Sequence, residues 1–383
     1  MRANKMCAIL GNAHECQELM PLTEKRPLAT LPFDCKYRLL DFSLSNIVNA
    51  NVKSVYMVFN QGLTRSVFDH IGGGREWHLD SVDSKYFIHF YQDYLQRRAE
   101  GRPYYEAAID YLKKSKSKYT VFMGNKMLCN IDLRAVLKIH QQHDSDITVV
   151  YKKMPVNQIA YQDIILDIDE HGIVEGHHSY FDDPVESEIK NLSMNIFIVG
   201  TDWLINAMTD GQKKGTPVAI QDFLTLCMDK HKTSAYEYTG FLSNIFDVKA
   251  YYDANMAMLD SKKFSSLLYS NQKIYTKLKN EVATYYAPTS DVHNSQFATG
   301  CIVKGKVRNS LFSRSSIVEE GAEVRDSIIM ASAVINENAS ISYAILDKHV
   351  YVDAGVKIVG TPEKPIVIKK NVHVTCDIIG GEE

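Results

Sequence analysis

Short runs of β-branched and aromatic residues alternate with amphipathic segments from Cys7 to about Leu259. Strand-like runs lie at 7–10, 54–59, 119–123, 147–152 and 194–199, and helix-like segments lie at 41–49, 133–143 and 248–259. This alternation predicts an α/β domain with a mostly parallel, Rossmann-like sheet flanked by helices. Ligands of such sheets bind outside the carboxyl ends of the strands. We therefore expect the loop 11–20 and the turn Gly124-Asn125 to face one crevice.

From about Gly300 the apolar residues recur at intervals of six, unlike those in the first part of the chain. Examples are Val318 with Val324, Ile335 with Ile341, Val350 with Val356, and Val352 with Ile358. Short strands that stack in coils need an inward aliphatic side chain at this interval, so the pattern predicts a parallel β-helix. A β-sandwich with the same spacing by chance is the alternative. We predict domains at 1–259 and 300–383, joined by a linker at 260–299.

Composition narrows the class of function. The chain has 383 residues, a net charge of −3 and no run rich in Lys and Arg, which argues against a nucleic-acid partner. Its seven cysteines form no C-x-x-C pair, a pattern typical of reduced thiols rather than of a disulfide framework or zinc site. The apolar stretch 7–10 is too short for a signal sequence or a membrane span. We expect a cytoplasmic protein that binds neither membrane nor nucleic acid.

The segment 31–46, L-P-F-D-C-K-Y-R-L-L-D-F-S-L-S-N, resembles the stretch after the nucleotide loop in ADP-glucose pyrophosphorylases (glucose-1-phosphate adenylyltransferases). The segments 193–196, S-M-N-I, and 251–255, Y-Y-D-A-N, resemble two further motifs of that family. The resemblance covers essentially the whole chain. It implies a nucleotidyltransferase-type domain, a C-terminal left-handed parallel β-helix and a tetrameric assembly. The implied role is in glycogen synthesis, where ATP and glucose 1-phosphate give ADP-glucose and pyrophosphate.

The chain departs from this family at the positions that would contact phosphate and Mg²⁺. The replacements are Glu18 for an arginine, Leu28 for a lysine, Asn125 and Asn244 for two metal aspartates, and Ser179 for the lysine that meets the sugar phosphate. The nucleotide loop 11–23 is also longer and almost without glycine, which obstructs a backbone cradle for phosphate. Asparagine lacks the charge that repays partial dehydration of the metal. We therefore expect no catalytic residue, a lost Mg²⁺ site and no cofactor.

Three cations match family positions associated with an allosteric effector. Lys36 and Arg38 lie within 31–46, and Arg314 resembles a β-helix arginine that completes the effector pocket. Converging cations would bind an anion, whereas a surface charge or a salt bridge to Asp41 is the alternative. The resemblance implies a catalytically impaired regulatory subunit that forms a hetero-tetramer with a catalytic homologous subunit. It also implies a response to an anionic effector such as a sugar phosphate.

Two other functions are left open. An active sugar-phosphate nucleotidyltransferase would need rearranged metal ligands, for which Asp132 and Asp247 are candidates. A homo-oligomeric sugar-phosphate sensor would act without a catalytic partner.

Two further motifs could suggest a binding site. The run 72–74 of three glycines favours a mobile surface loop over a phosphate loop, and the adjacent His177 and His178 favour a solvated turn over a metal pair.

Overall fold

The computed structural model describes residues 5–13, 17–81, 84–183, 187–270, 272–279 and 282–380. Residues 14–16 of the expected nucleotide loop lie outside the described residues. The strands of the first part are β1 Met6–Asn12, β2 Pro32–Phe33, β3 Tyr37–Arg38, β4 Ser54–Phe59, β5 Lys85–Phe90, β6 Tyr119–Met123, β7 Met127–Cys129, β8 Ile147–Pro155, β9 Ile164–Ile168, β10 Val174–Ser179, β11 Ile189–Gly200, β12 Thr233–Glu237 and β13 Leu242–Asn244. The helices are α1 Leu39–Asn49, α2 Arg65–Ile71, α3 Tyr91–Ala99, α4 Glu106–Ser115, α5 Leu133–His143, α6 Thr201–Lys213, α7 Ile220–Met228, α8 Val248–Met256 and α9 Ser261–Leu268.

A mixed sheet forms the centre of the first domain. Within the described segments its strand order is β10-β9-β11-β6-β1-β4-β5, and β8 joins β11 to β12. Strands β6, β1, β4 and β5 run parallel, whereas β11 is antiparallel to its neighbours. The predicted α/β architecture is confirmed. Each strand and helix expected between 7 and 259 is present with similar bounds.

Alternate residues of β1 pack into two hydrophobic cores on opposite faces of the sheet. Ala8 and Leu10 belong to the core that contains residues of α1 and α5, whereas Cys7 and Ile9 belong to the core of α4, α6 and α7. All four side chains are fully buried. A strand covered by helices on both faces has a continuous apolar sequence, which explains the run at 7–10. Every helix in the described segments is too short or too polar to cross a bilayer.

The second domain is a parallel β-helix. Its strands are β14 Tyr285–Tyr286, β15 Asp291–His293, β16 Gln296–Phe297, β17 Ile302–Val303, β18 Lys306–Arg308, β19 Leu311–Phe312, β20 Ile317–Val318, β21 Glu323–Arg325, β22 Ile328–Ile329, β23 Val334–Ile335, β24 Ser340–Ser342, β25 Ala344–Leu346, β26 Tyr351–Val352, β27 Lys357–Val359, β28 Ile366–Ile368, β29 His373–Val374 and β30 Ile378–Ile379. Each strand pairs in parallel with the third strand after it, so three sheets line the coil. The first coil begins at Tyr285, within the stretch 260–299 predicted as a linker.

The interval of six residues corresponds to the step from one sheet of a coil to the next. Val318 lies in β20 and Val324 in β21, and both side chains are buried in the β-helix core. In the next coil Ile335 and Ile341 take the equivalent positions, since they pair with Val318 and Val324. The predicted β-helix is confirmed, and the β-sandwich alternative is wrong.

The segment 31–46 connects the two domains. Its hairpin β2-β3 and helix α1 contribute Phe33 and Phe42 to a core that also contains residues of α8 and of the β-helix sheet at Leu311 and Ile328. The hydroxyl of Tyr252 in α8 donates to the carbonyl oxygen of Asp326 in the β-helix at 2.6 Å. The segment that carries the family resemblance is therefore a structural junction between the domains.

Candidate functional site

A cavity of about 1140 Å³ lies at the carboxyl ends of β1 and β6. Leu10 of β1 pairs with Met123 of β6, so Gly11 and Gly124 lie side by side just beyond the paired residues. Both glycines line the cavity. The expected crevice is therefore present, and the turn at Gly124 faces it as the strand pattern predicted.

The two asparagines at the expected metal positions are brought together by a small two-stranded sheet. Asn125 lies in the turn between β6 and β7, and β7 pairs antiparallel with β13, so that Asn244 lies opposite Met127. The amide of Ile245 donates to the carbonyl oxygen of Lys126 at 2.9 Å. Both asparagine side chains are almost completely buried. The two positions named from separate motifs thus belong to one site.

A lysine and an aspartate that sequence reasoning did not identify complete this site. Nζ of Lys126 donates to Oδ1 of Asp163, and Nδ2 of Asn244 donates to Oδ2 of Asp163 at 2.6 Å. The amide of Ala160 also donates to Oδ2, at 2.9 Å. The side chain of Asp163 is 3% exposed. The only sequence signal was Lys126 itself, which follows Asn125 directly where the family has a histidine.

These residues do not fit a magnesium ion. A bridging dication is normally held by one or two carboxylates whose charge offsets its dehydration. Here the first two positions are neutral amides, and the charge of Asp163 is already balanced by the ammonium of Lys126. Among the residues that the structure describes, no group of three His, Cys, Asp or Glu side chains is arranged to hold a metal.

The two candidate replacement ligands act as helix caps instead. Asp132 precedes α5 and accepts hydrogen bonds from the amide and Nε of Arg134 at 3.0 and 2.9 Å. Asp247 precedes α8 and accepts from the amide of Ala250 at 2.6 Å. A carboxylate at an N-cap satisfies amides that the helix leaves without partners. Neither aspartate lines the cavity.

The remaining substituted positions differ in where they lie. Leu28 lines the cavity, where the family's lysine would meet the transferring phosphate. Glu18, which replaces an arginine expected to contact phosphate, is exposed in a short 3-10 helix and does not line the cavity. The hydroxyl of Ser179 donates to Oδ2 of Asp182 at 2.7 Å. The serine is therefore occupied by a local turn at the end of β10.

The two adjacent histidines lie in strand β10, so the predicted solvated turn is wrong. Strand pairing with β9 keeps them half-buried and points them in opposite directions. His177 faces the cavity and lies 2.9 Å from Oδ1 of Asp229, whereas His178 lies near Asp167 and Asp183. The two rings do not form a metal pair.

The glycine run 72–74 is exposed at Gly72 and Gly73. Trp77, three residues beyond the run, is fully buried in the core beneath α1. The segment is therefore anchored at its carboxyl side. It does not line the cavity at the carboxyl ends of the strands.

A cluster of cations lies between the two domains, which we call the interdomain cation cluster: Arg26, Arg38, Arg314 and Lys348. Burial lowers the pKa of Arg38; Asp41 opposes this effect, and the positive charges of Arg26 and Arg314 add to it. Burial, together with Arg38 and Arg26, lowers the pKa of Lys348 to about 7. These mutual effects mean that the cations lie within electrostatic range of one another.

Two of the three expected effector residues belong to this cluster. The positive charge of Arg314 acts on Arg38, so these two side chains lie within electrostatic range of each other. The ammonium of Lys36 is instead exposed, 4.8 Å from the ring centroid of Tyr37. Sequence reasoning missed Lys348, and it missed that Arg26 also faces the β-helix, where it pairs with Asp347 at 2.5 Å.

Comparisons with known proteins agree with this fold. The nucleotidyl transferase family profile matches residues 15–261, and the GlmU-like C-terminal hexapeptide profile matches residues 282–377. Glycogen biosynthesis protein GlgD of Bacillus subtilis (strain 168) is 32% identical over 371 residues, which cover 96% of each chain. The protein of the same name from Geobacillus stearothermophilus is 30% identical over 327 residues, 84% of this chain and 83% of that protein. The hexapeptide repeat is the repeat of a left-handed parallel β-helix, in agreement with the predicted fold.

Proposed function

Because this chain belongs to the nucleotidyltransferase family and, within it, to the GlgD proteins of glycogen biosynthesis, we propose that it is a catalytically impaired regulatory subunit of glucose-1-phosphate adenylyltransferase. Its partner is a catalytic homologous subunit, with which it forms a hetero-tetramer in the cytoplasm. The catalytic subunit converts ATP and glucose 1-phosphate to ADP-glucose and pyrophosphate. This chain changes the rate or the effector response of that neighbour.

The observation that carries the proposal is the ion pair of Lys126 with Asp163 beside Asn125 and Asn244. A dication at this position would have to displace an ammonium from a buried carboxylate. Two unit charges about 4 Å apart attract by about 4 kcal/mol at an intermediate dielectric. Phosphoryl-type transfer depends almost entirely on charge stabilisation by metal and cations. A site with an internal ion pair, and with Leu28 in place of a lysine, supplies little charge stabilisation.

Regulation would act through the interdomain cation cluster. An anionic effector, such as a sugar phosphate, would contact Arg38 and Arg314, with Lys36 as the third proposed contact. Guanidinium groups from both domains that bind one anion favour a particular arrangement of the domains. An effector that binds one arrangement more tightly shifts the equilibrium toward it, and the catalytic neighbour responds through their shared interface.

The test is an assay of ADP-glucose formation by purified protein alone, by a catalytic homologue alone and by the two together. We expect no turnover by this chain alone, and a changed rate or effector response in the mixture. Arg314→Ala should alter the response of the mixture to a sugar phosphate and leave assembly intact. Arg308→Ala is the matched control, because this exposed β-helix arginine pairs with Asp291 outside the cluster.

Three results would contradict the proposal. Steady release of pyrophosphate by this chain alone, with Mg²⁺ present, would favour the active nucleotidyltransferase. Anion binding without any change in the homologue's activity would favour the homo-oligomeric sensor. An unchanged effector response in Arg38→Ala, Arg314→Ala and Lys36→Ala mixtures would remove the proposed effector site.

A further inference from the structure

The cavity at the carboxyl ends of β1 and β6 is kept open although its metal positions are lost. Six side-chain carboxamides of the described residues line this cavity. They are Gln17, Asn60, Asn125, Gln162, Asn195 and Gln221. They come from six separate parts of the chain: the loop after β1, the turn after β4, the turn after β6, the loop before β9, strand β11 and the start of α7. The fold therefore brings these carboxamides together, and they do not come from one loop.

Several charged side chains of the wall have a partner of opposite charge within the protein. The pairs are Arg26 with Asp347 at 2.5 Å, Glu24 with Lys369 at 3.1 Å, and Lys126 with Asp163. A charge that is balanced by a close partner gives little further attraction to a ligand of either sign. The wall therefore provides hydrogen-bonding groups, and three of its charges add little attraction for phosphate or a metal ion.

Three of the carboxamides are available to a ligand. Within the described part of the chain, the side chains of Gln17, Gln162 and Gln221 make no hydrogen bond to another residue. Each carboxamide donates through its NH₂ group and accepts through its oxygen, which matches a sugar hydroxyl that does both. Leu28 and Met194 add apolar surface to the same cavity, against which the C–H face of a pyranose ring can pack.

We propose that this cavity binds an uncharged glycoside, such as a short α-glucoside, without a metal ion. The cavity of about 1140 Å³ exceeds the roughly 300–1,000 Å³ of common small-ligand pockets, so two or three sugar units fit. Hydroxyl groups bind the carboxamides, and the paired charges select against phosphate. The proposal does not depend on a catalytic partner.

The test is ligand-detected NMR and calorimetry on the full-length chain, with maltotriose, methyl α-glucoside and glucose 1-phosphate as probes. We expect saturable binding of maltotriose with the same affinity in Mg²⁺ and in EDTA. We also expect glucose 1-phosphate to bind no more tightly than methyl α-glucoside. Gln162→Ala and Gln221→Ala should each weaken maltotriose binding about tenfold, because each removes hydrogen bonds to the sugar.

The matched control is Gln96→Ala, which removes an exposed carboxamide on α3 that bonds Glu100 outside the cavity. It should leave the affinity for maltotriose unchanged. The proposal is overturned if maltotriose does not bind, or if EDTA abolishes its binding. It is equally overturned if the phosphate group of glucose 1-phosphate improves affinity tenfold or more, or if the two cavity variants bind as well as the control.

Discussion

The ion pair between Arg26 and Asp347 joins the first domain to the β-helix and leads to a prediction about stability. Nη2 of Arg26 donates to Oδ2 of Asp347 at 2.5 Å, and the two side chains are 6% and 3% exposed. Arg38 and Lys348 place further positive charge nearby. The substitution Asp347→Ala therefore leaves a buried guanidinium among other cations without its counter-charge.

The expected loss of stability follows from burial of the remaining charge. Removal of one partner of a buried ion pair costs about 3–5 kcal/mol, because the other charge stays desolvated. The same truncation removes the acceptor for the amide of Lys348, a 2.6 Å hydrogen bond, which adds about 1 kcal/mol. We expect Asp347→Ala to lower the free energy of unfolding by about 4–6 kcal/mol. The double variant Arg26→Met with Asp347→Leu should lose less, since it leaves no unpaired charge.

Urea unfolding measures this change, followed by tryptophan fluorescence and circular dichroism. Both tryptophans, Trp77 and Trp203, lie in the first domain, so fluorescence reports that domain and circular dichroism reports the whole chain. Two domains can unfold in separate steps, and the two probes together detect this. The control Asp353→Ala removes an exposed β-helix carboxylate that pairs with His373 at 2.7 Å, and should cost less than about 1 kcal/mol.

The comparison between the two alanine variants decides the outcome. If Asp347→Ala and Asp353→Ala unfold at the same urea concentration, the interdomain pair does not stabilise the fold and the reasoning is refuted. A double variant less stable than Asp347→Ala would show that the unpaired charge is not the source of the loss.

Three further predictions concern the charge of particular side chains. Burial raises the pKa of Asp34 from 3.8 to about 7, so the stability of the fold falls as pH rises between these values. Asp34→Asn should therefore raise the urea midpoint at pH 8 but not at pH 4, and equal effects at both pH values would contradict this. Burial lowers the pKa of Lys348 to about 7, so sulfate binding at pH 8 should take up a proton. Calorimetry in buffers of different ionisation enthalpy measures the uptake, and Lys348→Met should abolish it. The double variant Asn125→Asp with Asn244→Asp should show no saturable Mg²⁺ binding by calorimetry, because the ammonium of Lys126 still neutralises Asp163. The triple variant that adds Lys126→His should bind Mg²⁺, and equal binding by the double and the triple variant would refute this.

Short-range patterns in the sequence predicted most of the architecture. A strand period of two, a helix period near four and a coil interval of six are set by backbone geometry, so they can be read from the residues alone. The run 7–10 and the pair Val318 with Val324 are examples, and both lie where the pattern placed them. The strand ends also predicted the crevice, because parallel strands bring their carboxyl ends to one edge of a sheet.

Contacts between residues that are distant in the sequence could be identified only from the tertiary structure. Lys126 and Asp163 are 37 residues apart, and Arg26 and Asp347 are 321 apart, yet each pair is in contact. Asp163 lies in none of the motifs recognised in the sequence, and the sequence gives no sign that Arg26 pairs with the β-helix. Glu18 shows the converse, since a position inferred from alignment lies outside the cavity.

The amino-acid sequence by itself determined the two domains' fold, the family and the asparagines at positions 125 and 244, since periodicity and residue type are local properties. Only the tertiary structure decided which charges are neutralised and which carboxamides face the cavity. The physical reason is that electrostatic balance depends on distances between side chains, and chain packing sets those distances between residues that are remote in sequence.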